Sequence, residues 1–338
     1  MNANLSIFIA AISFSFYPLL NSIALETTSP YLLALIAQFT VTIVALLVLI
    51  YNLKSLSKTQ EIFKYYSKLP IEIKMIPFLS GTGILVGTLF FLSALSMMSK
   101  AGATLIMECW PIFAIIVARA LLSHKNWQPL KLMDFILCLL ALLGMLFITA
   151  SESNITLEAF LKNPFIFFQT QSFDNAIGII LAVLSALCFA WGSVARSYFA
   201  DKLPKDMRIK FFHKKNSLAE ANFTYALTYI YGIPIAILCF YLFEVENTSF
   251  DYVAVLPIFL LSISLVLTSV FYAYGLLIAT NANINLLWYI APVLATIWLV
   301  FYGYSHLTPF IFIGGFLIIL SNIILVLTNK KNIEKTYE

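Results

Sequence analysis

The chain has 338 residues, of which 61% are hydrophobic and only 11% are charged, and its formal net charge is +4. Water-soluble domains carry about 25% charged residues, so this composition excludes an ordinary soluble protein and indicates an integral membrane protein. The small excess of basic residues is explained by membrane topology, as the loops show below, so we expect no nucleic-acid partner.

Ten apolar runs follow one another along the chain, and each can supply the roughly 20 residues that cross the hydrocarbon core. Helices are expected because unpaired backbone groups are prohibitive in lipid, and the runs lack the short alternating segments of a β-barrel. The predicted fold class is all-α integral membrane, with ten transmembrane helices. The runs lie near 5–24, 31–51, 76–98, 101–122, 132–150, 175–197, 221–243, 253–278, 282–302 and 308–328.

The Lys and Arg residues are distributed unevenly between the predicted loops. With the N-terminus inside, eighteen of the 20 fall on the inner side, and only Lys100 and Lys162 fall outside. The positive-inside rule therefore predicts a multi-pass protein of the cell (inner) membrane with both termini in the cytoplasm. The basic connections at 52–74 and 198–220 are then cytoplasmic.

The two halves of the chain are weakly similar. Residues 78–118 align without a gap with 259–299 at an offset of 181, which places Pro111 on Pro292. Five runs in each half would turn the second copy upside down, and inverted repeats are typical of secondary transporters. We predict a first five-helix repeat at 1–150, an extracytoplasmic connecting loop at 151–174, and a second repeat with a cytoplasmic tail at 175–338.

Glu108 is the carboxylate that lies well inside an apolar run, about 10 Å from its outer end at 1.5 Å per residue. A charge at that depth costs at least ~2.5 kcal/mol, so the side chain should face a cavity or a polar partner. It could then bind a solute or carry a proton. The alternative is a carboxylate that serves packing or extends to the headgroups.

Pro111 and Pro292 occupy equivalent positions in the fourth and ninth runs. Proline removes a backbone hydrogen bond and kinks or opens a helix. Matched breaks in the two halves indicate a binding site near the membrane midplane. Ordinary transmembrane proline is the alternative, because proline is common in such helices.

Helical spacing places polar residues around both prolines on one face of each helix. Thr104 and Glu108 precede Pro111 on the fourth run. Their equivalents on the ninth run, together with its proline and the residue four positions after that proline, can form the opposing wall of a cavity. A polar helix–helix contact is the alternative. Those residues are Asn285, Tyr289, Pro292 and Thr296.

Aromatic residues with polar tips recur in the runs that would surround such a cavity. Their rings can stack on an organic solute while their tips bind its polar groups. Because aromatics make up 15% of the chain, most of them face lipid or core. The candidates are Tyr17, Trp191, Tyr272, Tyr274 and Trp288, with Asn21 and Ser193 as weaker ones.

Two short stretches carry a family resemblance over nearly the whole chain. They are Glu108-Cys109-Trp110-Pro111-Ile112-Phe113 and Tyr289-Ile290-Ala291-Pro292-Val293-Leu294. They are similar to signatures of the EamA-type branch of the drug/metabolite transporter superfamily, particularly its aromatic amino-acid exporters. The resemblance implies a central cavity walled by runs 1, 3, 4, 6, 8 and 9, with alternating access. One departure concerns the first run, which lacks the carboxylate that small multidrug members use, so their coupling mechanism does not carry over.

The resulting hypothesis is a secondary active transporter of small organic metabolites, such as amino acids, that works by alternating access. Export is favoured, and coupling to protons, exchange or neither is left open. No HExxH motif, intramembrane aspartate pair or Gly-rich phosphate loop appears, so we expect no catalytic residue, metal or cofactor. The expected partners are a small solute and the lipid bilayer, and we expect a monomer. The alternatives are a membrane scaffold or receptor and, less favoured, an intramembrane enzyme.

Overall fold

The computed structural model describes residues 2–122, 132–151, 156–163, 172–212, 218–244, 251–278 and 287–334. Within these ranges the chain forms helices joined by turns and contains no β-strand. An α-helix closes its backbone hydrogen bonds within one segment, which is why long apolar runs adopt it in lipid. The all-α class predicted from the composition is confirmed.

The helices follow the predicted runs closely. In chain order the helices are α1 Ala3–Ser15, α2 Tyr17–Ala24, α3 Pro30–Leu53, α4 Leu56–Ser67, α5 Ile71–Met97, α6 Lys100–Met107, α7 Trp110–Leu122, α8 Leu132–Ser151, α9 Leu157–Lys162, α10 Phe173–Lys202, α11 Leu218–Phe243, α12 Val255–Ile278, α13 Ile290–Phe301 and α14 Pro309–Glu334. Two of them, α4 and α9, lie in the connections outside the apolar runs.

Among the described residues, six helical segments are long and apolar enough to cross a membrane. They are Ala3–Ala24, Pro30–Leu53, Ile71–Met97, Phe173–Lys202, Leu218–Phe243 and Tyr252–Gly275. Three shorter apolar helices lie at Leu139–Ile148, Leu287–Phe301 and Pro309–Ser321. The chain is therefore a multi-pass membrane protein, and the count of ten spans stays a prediction.

The first run differs from the prediction of one continuous helix. Helix α1 ends at Ser15 and α2 begins at Tyr17, so that Phe16 lies between two helices. Pro18 stands in the first turn of α2, where an N–H would have no partner within the helix, so its absence costs no hydrogen bond. Inside a continuous helix the same proline would have removed a hydrogen bond and met the preceding turn.

The described helices group into two compact units. Unit 1 comprises Met1–Val86 and Trp191–Thr280, and unit 2 comprises Gly87–Ala190 and Asn281–Glu338. Each unit takes helices from both halves of the chain. The predicted division into repeats stays a prediction, because a repeat is defined by symmetry and not by compactness.

In unit 1, helix α1 packs along α12 and helix α3 packs along α11. Side chains donate hydrogen bonds to backbone carbonyls of the neighbouring helix. Gln38 Nε2 donates to the Tyr229 carbonyl at 2.6 Å, and Ser264 Oγ donates to the Ser13 carbonyl at 2.5 Å. Such bonds stabilise helix pairs in lipid, where the hydrophobic effect does not hold helices together.

One end of unit 1 carries both long basic connections. Ile62 and Tyr66 of α4 share a buried core with Phe211, which belongs to a short π-helical segment at Arg208–Phe212. The Tyr65 hydroxyl donates a hydrogen bond to the Asp206 carboxylate. The connections 54–70 and 203–212 therefore lie at the same end of the unit.

In unit 2, helix α8 packs along α14 through two glycines. A Cβ on Gly144 would lie 2.7 Å from the Gly314 carbonyl oxygen, and a Cβ on Gly314 would lie 2.5 Å from the Gly144 carbonyl oxygen. Small residues let transmembrane backbones approach this closely. Helix α6 likewise packs against α13.

Candidate functional site

The fourth run is interrupted at Glu108 and Cys109. Helix α6 ends at Met107, and α7 begins at Trp110, with Pro111 in its first turn. Pro111 has no N–H to donate to the Met107 carbonyl, so a continuous helix would lose a bond here. The Cys109 amide instead donates to the Ile106 carbonyl at 3.1 Å, a tightened last turn. The predicted opening of the helix before Pro111 is confirmed.

The ninth run repeats this arrangement in its described part. A single 3-10 turn covers 287–289, Tyr289 caps α13, and the helix begins at Ile290. Pro292 again stands in the first turn, where a missing N–H is tolerated. Both predicted prolines therefore begin a helix.

Glu108 lies at the first of these breaks and is deeply buried, with 2% of its surface exposed. Neither carboxylate oxygen has a hydrogen-bond partner among the described residues. The indole N–H of Trp288 interacts with the carboxylate, although the two groups do not reach hydrogen-bond geometry. Because this N–H is loosely placed, the carboxylate can accept a hydrogen bond from a further donor.

Two indole rings lie at this break. The rings of Trp110 and Trp288 meet edge to face, with centroids 6.4 Å apart and an interplanar angle of 84°. Trp288 is buried and Trp110 is half-buried. The carboxylate of Glu108 is thus held in an aromatic environment within unit 2.

Two predicted hydroxyls near the breaks are already used within their own helices. Thr104 Oγ1 donates to the Lys100 carbonyl at 2.7 Å, and Thr296 Oγ1 donates to the Pro292 carbonyl at 2.9 Å. Their oxygens retain acceptor capacity, but the protons are committed to the backbone. Asn285 lies outside the described residues.

The other predicted residues belong to unit 1. Tyr17 is buried directly after the break at Phe16 and stacks on Phe14, with ring centroids 5.3 Å apart. Three half-buried aromatics complete the predicted set. They are Trp191 on α10 and Tyr272 and Tyr274 on α12. The structure thus places the described candidates of the fourth and ninth runs in unit 2 and those of the first, sixth and eighth runs in unit 1. The candidates in unit 2 are Thr104, Glu108, Pro111, Trp288, Tyr289, Pro292 and Thr296.

Residues 1–150 match the model of the EamA-like transporter family. This part of the chain belongs to that family. The match is to the family and does not distinguish the aromatic amino-acid exporters within it. Among the curated proteins, none matches the sequence.

A solved structure, described only as the crystal structure of a protein, resembles this chain over nearly its full length. It covers 97% of this chain and 98% of its own, with a TM-score of 0.60 and 19% sequence identity. At that identity the likeness shows the fold alone. EamA-like transporters belong to the drug/metabolite transporter superfamily, and the match over residues 1–150 suggests a membrane transporter of that type.

The described residues also include buried polar groups that the sequence pattern does not single out. Arg196 is buried on α10, with its guanidinium 4.3 Å from the centroid of the Tyr225 ring. The Tyr229 hydroxyl and the Ser269 hydroxyl lie 2.7 Å apart in the same unit. From the sequence, Arg196 is only one of the eighteen basic residues on the predicted inner side. Nothing in its sequence neighbourhood shows that it is buried.

The described ranges hold no group of three or more His, Cys, Asp or Glu side chains that could bind a metal ion. The family is generally non-enzymatic. The described groups suited to solute recognition are a buried carboxylate, aromatic faces and a buried guanidinium.

Proposed function

We propose that the chain is a secondary active transporter that moves small organic metabolites carrying an ammonium group, such as amino acids, across the cytoplasmic membrane by alternating access. Export is the proposed direction. The proposed architecture has ten spans in two inverted five-helix repeats, with both termini in the cytoplasm. Glu108 is the proposed centre of the solute site.

The burial of Glu108 carries this proposal. A carboxylate inside a membrane protein costs at least ~2.5 kcal/mol unless a partner compensates it. The described residues supply only the loosely placed indole N–H of Trp288. A charge kept at that expense without a fixed ion pair is best explained by a partner that comes and goes. Such a partner is a cationic solute group or a proton.

The aromatic neighbours favour an ammonium group. Tryptophan is the strongest cation–π partner among the aromatic side chains, and the contribution grows when the cation is desolvated. Trp110 and Trp288 meet at the break that carries Glu108. A carboxylate beside two indoles therefore matches the cationic end of an amino acid, while a proton could take its place on the return step.

Helix packing supports the inverted repeat. The pairs α6 with α13 and α8 with α14 in unit 2, and α3 with α11 in unit 1, each join equivalent spans of the two predicted halves. The Gly144 and Gly314 contact is reciprocal, as expected where two equivalent helices cross near a symmetry axis. Two repeats that exchange conformations would provide alternating access.

Topology is supported by the end of unit 1 at which 54–70 and 203–212 meet. Two connections on one side require an even number of spans between them, and the predicted spans 3 to 6 satisfy this. Their shared excess of Lys and Arg supports a cytoplasmic location for that side.

The test is solute movement by purified full-length protein in liposomes. Labelled amino acids should exchange across proteoliposomes but not across protein-free liposomes, and Glu108→Gln should slow the exchange at least about tenfold. A scaffold or receptor would move no solute. Failure of every amino acid to exchange through folded, correctly inserted protein would contradict the proposal.

A further inference from the structure

Arg196 is a buried cation that has no counter-ion among the described residues. Only 7% of its surface is exposed, and within the described ranges its Nε has no hydrogen-bond partner. In the part of the chain that the structure describes, no carboxylate lies within ion-pair distance of it. Its contacts are a 3.4 Å hydrogen bond from Nη2 to Ser197 Oγ and the face of Tyr225. Buried charges are ordinarily paired, so this one is unusual.

The guanidinium borders a cavity. The cavity has a volume of about 160 Å³, large enough for a small organic acid, and lies within unit 1. Arg196, Asp201, Glu220 and Thr224 contribute to its wall. It lies towards the end of α10 that carries the basic connections, which is the proposed cytoplasmic side.

The carboxylates around the cavity do not neutralise Arg196. Glu220 is already paired with Arg208, whose Nε donates to Glu220 Oε1 at 2.9 Å. Asp201 is exposed to solvent at the rim. The charge pattern is therefore an unpaired guanidinium inside and an acidic group at the edge. This pattern suits a solute with a carboxylate at one end and an ammonium group beside it.

We propose that this cavity is a cytoplasmic binding site in which Arg196 holds the carboxylate of an amino acid. Guanidinium presents a planar fork that matches a carboxylate, and stacking on Tyr225 fixes the plane of that fork. The inference rests on the proposed function in that the bound amino acid is the transported solute. The further inference concerns the carboxylate end of that solute and identifies Arg196 as the residue that recognises it.

The test is thermal unfolding of purified full-length protein in detergent, with each proteinogenic amino acid in turn and with the matching amino alcohol, which lacks the carboxylate. At least one amino acid should raise the melting temperature, and its alcohol should not. Arg196→Gln should weaken the binding of that amino acid at least about tenfold, as expected for the loss of a charge-assisted hydrogen bond. Arg196→Lys should bind with intermediate affinity, because it keeps the charge and loses the fork.

The matched control is Lys202→Gln, which removes a positive charge from the same end of α10. Lys202 is exposed and lies 5.2 Å from the Tyr198 ring centroid, away from the cavity wall. This variant should bind the amino acid as the wild type does. If Arg196→Gln does not fold, the lysine variant carries the comparison, since it retains the charge that Tyr225 contacts.

Three outcomes overturn the inference: no amino acid stabilises the wild type, the amino alcohol stabilises equally, or both Arg196 variants bind like the wild type. Stabilisation by inorganic phosphate or by anionic lipid alone would also overturn it. Transport in liposomes separates the two proposals. Transport that is unchanged in Arg196→Gln would retain the proposed function and remove this site. Binding that needs Arg196, without any transport, would retain the site and remove the function.

Discussion

Replacing Glu108 with Gln tests whether an uncompensated carboxylate serves binding or stability. The substitution keeps the size of the side chain and removes the charge. In the folded protein Glu108 is 2% exposed, and its oxygens make no hydrogen bond among the described residues. The change therefore removes no strong contact that the structure records.

The expected stability change follows from the depth of the site. A centrally placed charge costs about 2.5–3.5 kcal/mol in a membrane segment, so neutralising it offsets the loss of the weak Trp288 interaction. The removed cost exceeds the weak contact that is lost, so we expect the free energy of unfolding to rise by up to about 3 kcal/mol and not to fall. Transport should fall at least about tenfold, the equivalent of 1.4 kcal/mol, and what remains should lose its pH dependence.

Glu220→Gln is the matched control, because Glu220 is equally buried but paired. Its partner Arg208 has only 14% of its side chain exposed, so the substitution leaves a largely buried guanidinium without its anion. We expect a loss of about 1.5–3 kcal/mol, the contribution of a hydrogen bond between charged groups. Unfolding in mixed detergent micelles gives both free energies, and proteoliposome exchange at several pH values gives the transport rates.

The reasoning is refuted if Glu108→Gln destabilises the protein as much as Glu220→Gln does. That result would make Glu108 a structural residue with an unrecognised partner. Wild-type transport by the Glu108 variant at every pH would refute the functional role independently of stability.

Three further predictions concern the same helices. Trp288→Phe keeps the aromatic face but loses the indole N–H, so transport should persist with weaker solute affinity, measured as a raised half-saturation concentration; unchanged affinity would separate this indole from the site. Gly314→Ala should lower the free energy of unfolding by about 1–3 kcal/mol through overpacking, whereas Gly315→Ala, whose Cβ would meet only the ends of a Leu side chain at 3.2 Å, should be nearly neutral; equal losses would contradict the close helix crossing. Cysteines introduced into 56–67 should react only with reagents added from the cytoplasmic side, and those introduced into 157–162 only from outside; the reverse labelling pattern would invert the topology.

Chain chemistry was enough to predict the helices and one of the breaks. The long helices coincide with apolar runs because lipid admits few other backbone structures. The opening before Pro111 was predictable, because the absence of an N–H acts locally. Pro18 carries the same signal, yet the apolar run around it predicts one continuous helix, whereas the structure has a break at Phe16.

The neighbours of the charged residues were not predictable from one sequence. Trp288 interacts with Glu108, but the two residues lie on different helices, so helical periodicity cannot predict the contact. The repeat offset of 181 pairs Glu108 with Tyr289 instead. The charge distribution predicts only that Arg196 lies on the inner side of the membrane, whereas the fold buries it against Tyr225. Periodicity identifies which side of a helix is polar, whereas the packing of distant helices decides what that side meets.

Proline alone does not explain the opened helices. Pro77 and Pro234 lie inside helices that continue through them, so this chain accommodates the missing hydrogen bond without a break. Before Pro111 the helix is interrupted, and the buried carboxylate of Glu108 lies at the interruption. Helices also restart at Pro18 and Pro292, where no charged residue lies at the break. The interruption at Pro111 differs from these two because it carries a buried carboxylate. A charge in a membrane segment costs at least ~2.5 kcal/mol, so the interruption at Pro111 is the one at which we propose that a cationic solute group binds.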